Sequence, residues 1–169
     1  YIVKEKSSVT SPVSVSLSGS NATLSNGFVK ATITDKGVSS LTYNGKSVLR
    51  SGGMNLKVDN QYSFKADSVS VVTEGPIYAT VRLTGVFEGT NVAGDWFITM
   101  YSGDNRLYQE FKFTAKGDQK ISTETLNISF ADGFDNAEFV ENSTVNDTLT
   151  VSDRMTISKD GLSVILATK

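Results

Sequence analysis

With 169 residues, 38% of them hydrophobic and 20% charged, and a net charge of -2, the chain is long enough to bury a core and too balanced in composition to be disordered. It contains no histidine and no cysteine, which removes the commonest general base and metal ligand together with disulfides, thiol chemistry and most zinc sites. No apolar run approaches the roughly 18 residues of a membrane helix, and no basic stripe of the kind that tracks nucleic acid is present, so both classes are set aside.

From Val13 onward apolar and polar residues alternate with a period of two, which puts successive side chains on opposite faces of a sheet. Residues 1–20 stand apart as a strand-forming extension ahead of a single domain over 21–169. Within the extension Tyr1, Val3, Val9, Val13, Val15 and Leu17 all fall on odd positions, so they share one face of a candidate donor strand. Strands are predicted near 13–18, 22–25, 28–34 and 39–43. Between them Asn26-Gly27, Asp35-Lys36-Gly37 and Asn44-Gly45 supply the backbone of tight turns. Gly52-Gly53 reads as the next turn, followed by strands near 54–58, 61–66 and 68–73. Ile77 to Phe87 and Asp95 to Ser102 form a long central hairpin, and further strands are predicted near 106–115 and 121–130. Asp132-Gly133 and Asp160-Gly161 mark the last turns, with strands near 148–152, 155–158 and 162–167. Pro12 and Pro76 both sit where a strand begins, and no stretch keeps a helical period. The expected class is all-β: an antiparallel β-sandwich, Ig-like, jelly-roll or supersandwich in type, without significant helix.

The run Ala22 to Ile33, containing Leu24 and Asn26-Gly27, is followed by Ser40-Leu41-Thr42-Tyr43-Asn44-Gly45. It resembles the opening of β-sandwich modules in rhamnogalacturonan-lyase-type enzymes and galactose-mutarotase-like supersandwiches. Gly75-Pro76-Ile77-Tyr78 and Phe97-Ile98-Thr99-Met100-Tyr101 resemble the long strands that follow, so the likeness spans about residues 22–130. The resemblance implies a sandwich of carbohydrate-related ancestry. It transfers no catalytic residue, because the mutarotase-like enzymes move protons with histidines that this chain lacks. In organisation, a strand-forming extension before a cysteine-free sandwich is similar to the donor-strand-exchanged subunits of prokaryotic pilus and thread filaments.

Candidate sites are few. Arg106 and Tyr108 share a strand face near Tyr101; an eliminase could in principle use such a set, but no second element of a mechanism is visible, so it reads as cross-strand packing. Asp132-Gly133-Phe134-Asp135-Asn136-Ala137-Glu138 gathers oxygen ligands around a glycine without the EF-hand spacing, so it reads as a solvated turn, and no metal or other cofactor is expected. Trp96, Tyr101 and Tyr108 are the candidates for stacking on a sugar. Four Asn-X-Ser/Thr sequons, at Asn21, Asn127, Asn142 and Asn146, are candidate glycosylation sites on a chain whose first residue is Tyr1 rather than Met. The leading expectation is a secreted, non-enzymatic, glycosylated subunit of a cell-surface filament, joined to copies of itself by strand addition. The alternative is a carbohydrate-binding or accessory module of a polysaccharide-degrading protein.

Overall fold

A computed structural model describes residues 12–134, 136–140, 154–159 and 161–167. The described residues are all-β and fall into two compact units, Tyr1–Ser129 and Phe130–Lys169. The first unit is an antiparallel β-sandwich. Its strands are β1 (Ser14–Ser18), β2 (Asn21–Ser25), β3 (Val29–Thr34), β4 (Gly37–Tyr43), β5 (Lys46–Ser47), β6 (Leu49–Val58), β7 (Tyr62–Thr73), β8 (Tyr78–Phe87), β9 (Val92–Tyr101), β10 (Leu107–Ala115) and β11 (Glu124–Phe130). One layer runs β1-β2-β3-β4-β6, with β5 on β4 and β11 on β6, and the other runs β7-β8-β9-β10. They are continuous through the β6–β7 hairpin, where Val58 opposes Tyr62.

Alternation decides which side chains meet between the layers. In β9 the even positions Val92, Trp96, Ile98 and Met100 are fully buried, while the odd positions face outward. Leu24, Ile33, Val38, Met54 and Leu56 close the core from the other layer, with Phe64 and Phe87 packed edge-to-face between them at 5.5 Å. Gly37 of β4 lies so close to Trp96 and to the Met54 carbonyl that a β-carbon there would collide with both.

β1 folds back on β2 from Ser14↔Ser25 to Ser18↔Asn21 and Val13 donates its N–H to the Pro76 carbonyl, so residues 14–18 of the expected extension pair with the strand that follows them. Val13 is buried, Val15 half-buried and Leu17 half-exposed, so these three belong to their own sheet, while Tyr1, Val3 and Val9 lie outside the described residues. Gly52-Gly53 does not end a strand: both residues have positive φ inside β6, which bends there and continues. The two strands expected over 61–73 are one, β7, whose register against β8 shifts between Ala66 and Ser68.

The second unit contains a three-stranded antiparallel sheet of β12 (Asn136–Val140), β13 (Arg154–Lys159) and β14 (Leu162–Ala167), in that order. The end of the acidic segment around Gly133 is therefore strand rather than turn, and the Asp132 carbonyl accepts a hydrogen bond from the Lys159 ammonium. The expected strand near 148–152 falls outside the described residues.

Candidate functional site

The outward face of β8, β9 and β10 carries two of the exposed aromatic side chains of the first unit, Tyr78 and Tyr101. Strand register builds it: Tyr78 opposes Tyr101, and Tyr108 opposes Thr99, one step diagonal from Tyr101. The Tyr78 and Tyr101 rings stack at 5.6 Å with a 30° tilt, and Tyr108 meets Tyr101 edge-on at 5.2 Å. Tyr78 and Tyr101 remain 41% and 40% exposed, so a flat aromatic surface is left open to solvent.

The loop after β9 supplies polar groups beside that surface. Arg106 forms a bidentate pair with Asp104, at 2.9 and 2.8 Å, and its guanidinium lies 5.3 Å from the Tyr108 ring centre. The Tyr108 hydroxyl donates to the Asp104 carboxylate at 3.1 Å. Arg106 holds the Asp104 carboxyl below the usual carboxylate range, against the opposing effect of burial. Burial pushes the Tyr108 phenol up, and the hydrogen bond to Asp104 adds to this. A Tyr108 general base would need the opposite shift. A depression of about 400 Å³ opens alongside, lined by Phe28, Tyr43, Gly103, Asp104, Asn105 and Arg106.

Asn26 fixes the loop in place. It is fully buried, its amide donates to the carbonyls of Tyr101 at 2.8 Å and Asp104 at 2.5 Å, and its oxygen accepts from the N–H groups of Phe28 and Val29 at 3.1 and 2.9 Å. All four hydrogen-bonding positions of the side chain, two N–H donors and two lone pairs, are used, and the β2–β3 turn is tied to the loop that carries Asp104.

Farther along the same face Arg82 grips Asp95 with two hydrogen bonds, at 2.9 and 2.8 Å, and Thr84 donates to the same carboxylate at 2.7 Å. The Arg82 hydrogen bond is the main reason why the Asp95 pKa is depressed. The Asp95 contribution to stability is therefore complete above the unfolded carboxylate range, ~4, and is lost as pH falls through the lower folded value. Asp95→Asn is expected to flatten the acid limb of stability against pH, read from urea midpoints between pH 7 and pH 2. An acid limb identical to that of the parent would refute this assignment.

The sequence candidates separate on this frame. Trp96 is not a sugar-stacking residue: it is fully buried, its ring packs 5.1 Å from Phe111, and its N–H donates to Gln109. Tyr101 and Tyr108 do come together, on the opposite side of the sheet from Trp96. Tyr78 was missed. The four residues between the central hairpin strands set its pairing with Tyr101, so the hairpin alone contains that information. Of the sequons, Asn21 is exposed at the β1–β2 turn, whereas the Asn127 amide nitrogen, the atom that would carry a glycan, is buried without a partner. Asn142 and Asn146 lie outside the described residues.

Among the described residues no group of three His, Cys, Asp or Glu side chains converges to hold a metal, and no helix is long and apolar enough to cross a membrane. Comparison with protein-family models and with curated proteins finds no match to this chain.

Proposed function

We propose that the chain is a non-enzymatic, extracellular β-sandwich module that binds polysaccharide on the Tyr78–Tyr101–Tyr108 surface. The observation behind this reading is the placement of three tyrosines from three adjacent strands on one outward face, two of them 41% and 40% exposed. A sugar ring has an apolar C–H face and a hydroxyl rim. The exposed rings suit the first, and Asp104, Asn105 and Arg106 offer acceptors and donors to the second. Sheet strands hold the aromatic groups rigidly, so little ordering entropy opposes binding. The resemblance over residues 22–130 and the exposed sequon at Asn21 agree with an extracellular, carbohydrate-related role.

Tyr78→Ala and Tyr101→Ala are each expected to weaken binding by about tenfold, ~1.4 kcal/mol, measured by calorimetry or affinity electrophoresis on a panel of soluble polysaccharides. Absence of binding across the panel, or affinities unmoved by both substitutions, would overturn the proposal. The filament reading, with its homopolymer built by donor-strand exchange, retains only Tyr1, Val3 and Val9 as its joining residues, because Val13, Val15 and Leu17 serve the β1 edge of their own layer. Deleting residues 1–11 separates the two readings, since glycan binding on the tyrosine face survives that deletion.

A further inference from the structure

β10 closes one margin of its layer. It pairs with β9 from Leu107↔Met100 to Ala115↔Val92 without a register shift, and no strand among the described residues pairs with its other edge. Natural edges are blunted by a bulge, a proline, an inward charge or charged side chains along the edge. This one has no bulge, proline or inward charge: its inward row is Leu107, Gln109, Phe111 and Phe113, and its two charges, Glu110 and Lys112, are of opposite sign and point outward. The inward row is only half-buried, although Trp96, Ile98 and Met100 on the neighbouring strand are fully buried. The Phe111 and Phe113 rings lie nearly parallel, 6.4 Å apart, along this open margin.

We propose that β10 pairs antiparallel with β10 of a second copy of the chain, about a two-fold axis at Phe111. The strand is self-complementary in that register and in no neighbouring one. With Phe111 opposite its own equivalent, all nine residues of the strand find partners, and Glu110 of each copy opposes Lys112 of the other. A slip of two residues in one direction sets Glu110 against Glu110, and in the other direction sets Lys112 against Lys112. A slip of one residue turns the phenylalanines outward. Within one chain Glu110 and Lys112 bridge each other at 3.3 Å with side chains 65% and 60% exposed, a screened contact that exchanges readily for the cross-strand pairs. Because a two-fold contact is closed, the product is a dimer and not a fibre.

Light scattering and sedimentation equilibrium on the full chain test this. The parent chain is expected to dimerise, Glu110→Lys and Lys112→Glu are each expected to weaken the dimer by about tenfold or more, and the double exchange is expected to restore it. The absence of other cysteines adds a register test: Glu110→Cys/Lys112→Cys should form disulfide-linked dimers on mild oxidation, whereas Glu110→Cys alone should not. A parent chain that stays monomeric at every concentration, a dimer indifferent to both single exchanges, or cross-linking by Glu110→Cys alone would each overturn the proposal. None of these results bears on sugar binding by the tyrosine face.

Discussion

Asn26→Leu is expected to destabilise the first unit by about 3–5 kcal/mol, among the largest effects available from a single polar side chain. The size follows from what is left behind. The Asp104 carbonyl and the N–H groups of Phe28 and Val29 lose this partner around a fully buried side chain, and the Tyr101 carbonyl keeps only the long bond from the Asp104 N–H, at 3.4 Å. Each orphaned buried group costs about 1–3 kcal/mol, and local relaxation toward water recovers part of the sum. Asn26→Asp preserves the shape but sets a carboxylate against two carbonyl oxygens, so it is expected to be nearly as damaging at neutral pH. Its damage should ease in acid, where a protonated carboxyl can donate once. Trp96 is the only tryptophan and lies in the same core, so its fluorescence reports urea unfolding of this unit directly. A leucine variant within about 1 kcal/mol of the parent would show that the lock contributes little, since that is the range of one ordinary hydrogen bond.

Gly37→Ala is expected to be comparably severe, on the order of 3–5 kcal/mol, from overpacking and backbone strain acting together. Gly37 has a φ of 120°, a conformation that L side chains rarely adopt. An added β-carbon would collide with the Met54 carbonyl on the neighbouring strand and with the Trp96 ring on the opposite layer. Combining the change with Trp96→Phe should relieve the ring collision alone, because the Met54 carbonyl and the backbone angle remain. Thermal melts followed by circular dichroism should therefore show partial rescue relative to the Trp96→Phe parent. Full rescue would mean that the ring contact was the whole cost.

Period-two alternation made most of the strands legible, because a sheet with one buried face requires it. β9 follows it residue by residue, and β8 departs from it only at the buried Thr80. The same parity separates Trp96 from Tyr101, since an even and an odd position of one strand face opposite sides, yet aromatic type alone had grouped them. Gly52-Gly53 misled because a glycine pair serves equally for reversing a chain and for bending a strand. Here Gly53 lies against the Val38 carbonyl, an approach that only the folded layer reveals. β12 was hidden by Asn136 and Glu138, polar residues that weaken strand propensity without preventing pairing with β13. Asn26 read as a turn residue, which it is. Its second role depends on a loop 75 residues away in the chain, beyond the reach of any local pattern.

The hold on Asn26 also directs how the molecule ages. An asparagine followed by glycine is prone to deamidation, because the unhindered glycine nitrogen attacks the side-chain carbonyl and expels ammonia. The described residues contain two such pairs. Asn44-Gly45 forms the exposed two-residue turn between β4 and β5, open to water and to that attack. The Asn26 carboxamide is clamped at both its nitrogen and its oxygen and is sealed from solvent. Chemical wear in the folded protein therefore accumulates at the exposed Asn44 and spares the residue whose conversion would undo the fold.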